Sequence, residues 1–181
     1  MTPIQKIFIA ALPLILLGGC QTMTAGECQT ADWLKIGQQD GNAGQEDMLG
    51  KRLDSCNANK VAVPMSATPA YRQGYADGLR YYCLPKRIQD DAVNGRDHVY
   101  VCPLAVQPSL RPALQAGMRV YQDKQQISQL NNEHDSLTNE LKDPKTSDSR
   151  ARDIRRRLHH LRGELEDANY ELRYAQSLLA P

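Results

Sequence analysis

Five thiols carry the most reactive chemistry in the sequence, and their positions separate one from the other four. Cys20 closes an N-terminal apolar segment, whereas Cys28, Cys56, Cys83 and Cys102 are spread over the polar chain that follows. An even set of four, in a compartment where thiols are oxidised, predicts two disulfides. The rival reading is a four-cysteine zinc site. Such sites use close pairs such as Cys-x-x-Cys, and here the nearest two cysteines are nineteen positions apart, so no metal is expected. Of the three possible connectivities, Cys28 with Cys56 and Cys83 with Cys102 is favoured, because each would close one local unit. Each closure would stabilise by roughly 3 kcal/mol.

The segment before Cys20 has one cation, Lys6, then the apolar run Ile7 to Leu17 and the small residues Gly18 and Gly19. That is the layout of a secretory signal covering residues 1–19. Its apolar run falls well short of the roughly 20 residues a membrane-spanning helix needs, so cleavage is expected over retention. Leu17-Gly18-Gly19-Cys20 resembles the bacterial lipobox, in which the cysteine thiol is alkylated before cutting. The resemblance implies a Cys20-linked lipid anchor, with membrane lipid as the first partner. Gln21 stands where an aspartate resembles the inner-membrane retention signal of Gram-negative bacteria, which implies the outer membrane, periplasm-facing.

A second candidate chemistry is carboxylate-based. Trp33-Leu34-Lys35-Ile36-Gly37 leads into Gly37-x-x-Asp40-Gly41, and Tyr71-Arg72-Gln73-Gly74 leads into Gly74-x-x-Asp77-Gly78, an internal repeat offset by 37 residues. Asp40 and Asp77 are the candidates for an acid–base pair, with Tyr71 or Trp33 as a substrate platform. No nucleophile–histidine set, phosphate-cradling loop or His-Glu metal spacing accompanies them, so no enzyme and no cofactor are expected. A tyrosine face made by Tyr71, Tyr75 and Tyr82 is the alternative, as a wall- or ligand-binding surface. Glycine inside a helix costs roughly 1 kcal/mol against alanine, so the repeated glycines predict two helices in close backbone contact.

The elements that must position these residues are helical throughout. Helices are expected from Ala31, from Glu46 to Cys56, and from Thr68, a cap with Pro69 in the first turn, to about Cys83. Residues 21–27 read as part of a short tether (20–27), and 84–98 as irregular. Beyond Pro108, Val120, Ile127, Leu130, His134, Leu137 and Leu141 alternate by three and four with one polar interruption. After a break around Pro144, Ile154, Leu158, Leu161, Leu165, Ala168, Leu172, Ala175 and Leu179 do the same without interruption. Two such seams predict an antiparallel coiled-coil hairpin over 108–181, with Ala175 and Leu179 opposite Val120 and Ala116 if the fold-back is symmetric about the loop. His134 is expected to set register, and His159-His160 to face solvent. The predicted fold is all-α: a disulfide-braced helical body, 28–107, plus this hairpin.

Charge points to one further surface. The chain has 22 basic and 21 acidic side chains, and only Lys6 precedes Cys20, so the processed chain is balanced and unlike a nucleic-acid binder. Around the hairpin tip, however, Lys142, Lys145, Arg150, Arg152, Arg155, Arg156, Arg157 and Arg162 face only Asp143, Asp148 and Asp153. Arg150, Arg152, Arg155, Arg156 and Arg157 are therefore the candidate contact for an anionic partner: lipid phosphates, acidic wall polymer or an acidic envelope protein.

The lipobox cysteine, the repeated Gly-x-x-Asp-Gly, Tyr82-Cys83, Asn94-Gly95 and Tyr100-Val101-Cys102-Pro103 together resemble a family of bacterial lipoproteins known only as a domain of unknown function. The resemblance covers about residues 20–121. It implies an envelope location and an oxidised cysteine framework, and no mechanism. Family members often carry a histidine four positions before the cysteine matching Cys56, where this chain has Arg52.

Overall fold

The computed structural model describes residues 22–179, so Cys20, Gln21 and the expected signal segment lie outside the described residues. The described chain is all-α, with seven helices and one short 3-10 turn at Val99–Val101. The described residues divide into two compact units: 22–31 with 50–63, and 32–49 with 64–179.

The first unit holds α1 (Ala25–Gln29) and most of α3 (Leu49–Ala58). Thr24 starts α1 with a reciprocal cap: its hydroxyl accepts the Glu27 N–H at 3.3 Å, while Glu27 accepts the Thr24 N–H at 2.7 Å. Residues 22–27, read as part of a short tether, are hydrogen-bonded within the first unit. Thr22 hydrogen-bonds to Ser55 through its N–H (3.2 Å) and donates its hydroxyl to the Lys51 carbonyl (3.0 Å), and Asn59 donates to the Met23 carbonyl (3.1 Å). Cys28 and Cys56 are joined in a disulfide and buried, as is Met23.

The second unit is built on α2 (Trp33–Asn42) and α4 (Ala67–Tyr82). The Asp32 side chain accepts the Lys35 N–H at 3.0 Å, which fixes the start of α2. Asp47 does the same for Leu49 at 2.9 Å, so α3 begins at Leu49 instead of the expected Glu46. The segment 84–98, read as irregular, contains α5 (Pro85–Ala92). Pro85 does not merely stop α4; it occupies the first turn of the next helix, where its fixed φ and missing N–H are tolerated. Ile88, Gln89 and Ala92 form the buried face of α5. A second disulfide, Cys83–Cys102, closes the loop around α5 beside a core of Leu79, Tyr82, Ile88, Val99 and Leu110.

Two long helices complete this unit: α6 (Gln107–Lys142) and α7 (Asp148–Ser177). The base of α6 packs on α5, with Gly117 against Ala92 and the Gln89 carbonyl. Gly95 takes a left-handed φ of 78° under the Tyr121 ring, a place where a side chain would meet both strain and the ring. At the turn, Ser147 caps α7 by accepting the Arg150 N–H (3.3 Å), and Thr146 donates its hydroxyl back to the Glu140 carbonyl (2.6 Å). α6 and α7 then run antiparallel. Arg150 pairs with Glu140, Arg157 with Glu133 and Arg119 with Glu171, and each pair is equidistant in sequence from Lys145. That register corrects the expected one: Ala175 lies level with Gln115 and Ala116, not Val120, because the fold-back is centred on Lys145, the middle of the turn between Lys142 and Asp148, whereas the expected pairs centre between Ser147 and Asp148.

Candidate functional site

The repeated helices pack as predicted, and in a particular way. A side-chain carbon at Gly37 would strike the Tyr71 carbonyl, at Gly41 that of Tyr75, at Gly74 that of Leu34, and at Gly78 that of Gln38. The partners climb together, so α2 and α4 are parallel, backbone against backbone. Exchanging the repeats by their 37-residue offset reproduces each contact, which makes the pair nearly two-fold symmetric about an axis along the helices. Equivalent residues in such a pair fall on opposite sides.

This symmetry separates Asp40 from Asp77. Asp40 is buried and accepts the Tyr71 hydroxyl at 2.8 Å; the same hydroxyl accepts the Met48 N–H at 3.1 Å. Asp77 is partly exposed beside Arg80, 3.5 Å away. The two carboxylates thus sit in different surroundings, one buried against a tyrosine hydroxyl and one partly exposed in an ion pair. The tyrosine platform fails on burial. Tyr71 and Tyr82 are core residues, and Tyr75 stacks on Tyr71 while donating to the Gln45 carbonyl at 2.7 Å. Trp33 is buried as well. Burial, then the Asp40 hydrogen bond, pushes the Tyr71 phenol well above its ordinary value; burial and the nearby Asp47 charge push Tyr75 up to about 12. The Tyr82 phenol, raised by burial, donates to Asp91 at 2.8 Å. Burial alone would raise the Asp91 carboxyl, but Arg96 and Tyr82 hold it below the usual carboxylate range.

The candidate anion contact is only partly available. Arg150 is bidentate on Glu140 (2.7 and 2.8 Å). Arg157 bridges Glu133 and Glu164 at 2.7 and 2.6 Å, and Arg156 pairs with Asp153 at 2.5 Å. The guanidinium hydrogen bonds hold Glu133 and Glu140 below the ordinary glutamate range. Arg152 and Arg155 are exposed and, among the described residues, make no ion pair. Sequence reasoning counted the local charge and could not see which cations were already neutralised across the hairpin.

Two grooves with apolar lining lie among the described residues. One, of about 430 Å³, lies along α4 beside the Cys83–Cys102 disulfide and is lined by Tyr75, Leu79, Pro103 and Val106. The other, of about 450 Å³, runs along α7 and includes His134, Leu158, Arg162 and Leu165. His134 contacts Asp135 at 3.3 Å, and His159 and His160 are exposed. Among the described residues no three His, Cys, Asp or Glu side chains are grouped to hold a metal, and no helix is long and apolar enough to cross a membrane.

The class these observations define is an all-α, disulfide-braced protein with a symmetric glycine-packed helix pair and a helical hairpin. Residues 32–119 match the model of a family described as "Protein of unknown function (DUF2799)". The match begins at the α2 cap and ends in the base of α6, so it takes in the glycine pair and Cys83–Cys102 and leaves out Cys28, the rest of α6 and all of α7. No curated protein and no solved structure matches the chain.

Proposed function

We propose that this chain is a cell-envelope lipoprotein with a structural or interaction role, held at the outer membrane through acylated Cys20, whose hairpin meets an anionic envelope partner. The observation that carries the reading is the pair of disulfides formed by the four cysteines after Cys20, crosslinks that persist where thiols are oxidised. The lipobox-like Leu17-Gly18-Gly19-Cys20 supports the anchor. Thr22, fastened to α3, is two residues from Cys20, and two residues span at most about 7 Å, so an anchor there would hold the first unit close to the bilayer. At the tip, contact narrows to Arg152 and Arg155, which make no ion pair among the described residues, with Lys142 at the end of α6 and Lys145 of the turn.

Intact-mass measurement on membrane fractions of the host, with and without reduction, tests this. The expected species starts at a triacylated or diacylated Cys20 and gains four hydrogens on reduction, and Cys20→Ser releases it to the soluble periplasmic fraction. An unprocessed, unacylated mass or four free thiols would overturn the reading.

A further inference from the structure

The hairpin is sealed on one flank only. With Leu158, Leu165 and Leu172 as heptad a positions and Ile154, Leu161 and Ala168 as d, the three inter-helix ion pairs, Arg150–Glu140, Arg157–Glu133 and Arg119–Glu171, join g to g. Among the described residues the opposite, e flank has no such pair. There α6 presents Lys124, Asn131 and Thr138, and α7 presents Arg155, Arg162 and Asn169. The groove of about 450 Å³ opens on this flank; Leu158 and Leu165, only half-buried, form its floor, with His134 on one side and Arg162 and Arg173 at the rim. Arg152, Arg155, Arg162 and Arg173 are exposed and make no ion pair among the described residues; Glu166 is the one acidic side chain lining the groove.

We propose that this e flank is a docking groove for an acidic, amphipathic helix of another protein, which would complete a three-helix coil. The proposal deepens the reading of the chain as an interaction module and relocates the contact from the tip to the flank. Apolar floor residues seven apart, with cations at Arg155 and Arg162 also seven apart, repeat about every 10 Å along α7. That is the period at which a helix offers leucines on one stripe and glutamates beside it. A second copy docking through the same groove about a two-fold axis would set Arg162 and its neighbours against like charge. A flat bilayer meets the arginines before it reaches Leu158 and Leu165.

The test uses the oxidised, processed-length chain with Cys20→Ser, so that no acyl group contributes and the outcome is read separately from anchoring. The probe is a synthetic peptide of about three heptads with leucine at a and d and glutamate at e and g, and its lysine counterpart. Fluorescence anisotropy is expected to show the glutamate peptide bound and the lysine peptide not. Arg155→Glu with Arg162→Glu should weaken binding tenfold or more, and Leu165→Ser should weaken it without changing its salt dependence. Arg72→Glu with Arg111→Glu, matched in charge and elsewhere on the chain, should leave it within twofold. Circular dichroism melts verify that each variant is folded. Failure to bind the glutamate peptide, or an equal loss in the charge-matched variant, would overturn the proposal. So would capture of phosphatidylglycerol vesicles in place of the peptide, or a dimer that Leu165→Ser abolishes.

Discussion

Asp40 and Asp77 occupy equivalent places in a repeated motif, yet only Asp40 is buried under a tyrosine hydroxyl. The near-two-fold pairing explains why. Tyr71 on α4 reaches Asp40 on α2, and the residue that would reach Asp77 by the same operation is Leu34, which has no hydroxyl to give. The difference is present in the sequence, but it has meaning only once the helices are known to be parallel. Tyr71→Phe removes one hydrogen bond to a buried carboxylate, and should destabilise the chain by about 1–3 kcal/mol in urea unfolding. An unchanged midpoint would mean that the bond contributes nothing net. The same tyrosines set an alkaline limit. Tyr71, Tyr75 and Tyr82 have folded pKa values above the ordinary 10.0, so the folded state binds their protons more tightly than the unfolded state does. Their contribution is fully present below pH 10 and is lost as pH rises beyond it. Ultraviolet titration should show Tyr71, Tyr75 and Tyr82 ionising only above pH 10, as the fold gives way. Ionisation of these three near pH 10 with the helical signal intact would contradict this.

At the scale of elements, the glycines divide by what stands opposite them. Gly37, Gly41, Gly74 and Gly78 face backbone, whereas nothing lies within 4 Å of a side chain placed at Gly50 or Gly163. Gly74→Ala should therefore cost more than about 2 kcal/mol, since the Leu34 carbonyl cannot move without moving α2. Gly163→Ala, on the exposed face of α7, should instead stabilise by about 0.5–1 kcal/mol through helix propensity alone. Thermal melts of the two variants check the sign, and alanine tolerated at both positions would remove the basis for the close α2–α4 approach. The repeat and the glycine spacing made this contact legible from sequence, as did the heptads of α7. Three things were not. α5 is only eight residues long and half of them are charged, with Ile88 and Ala92 the apolar part of its buried face, so it offers too few apolar positions for a period to be read. Parallel orientation depends on which carbonyl each glycine meets. The hairpin register depends on ion pairs between residues that look like ordinary surface charge.

On the scale of the whole chain, each unit contains its own disulfide, and the two crosslinks do different jobs. In the second unit Cys102 is one member of a core that also holds Leu79, Tyr82, Ile88, Val99 and Leu110. In the first, the buried side chains among the described residues are Met23, Ser55 and the two half-cystines, so the Cys28–Cys56 bond is most of the core. A core that small falls short of the ordering entropy of its chain, and the crosslink, which closes a 28-residue separation, restrains the unfolded state by roughly 3–4 kcal/mol. Cys28→Ser with Cys56→Ser should accordingly unfold the first unit and leave the second folded. Hydrogen exchange would show it: amides of α1 and of α3 from Lys51 to Ala58 lose protection, while those of α2, α4, α6 and α7 keep it. Cys83→Ser with Cys102→Ser should do something else, lowering the stability of the second unit by about 3 kcal/mol without abolishing its protected amides, because its apolar core remains. Equal loss of protection across both units in either variant would mean that the chain unfolds as one body, and that neither crosslink belongs to a unit of its own.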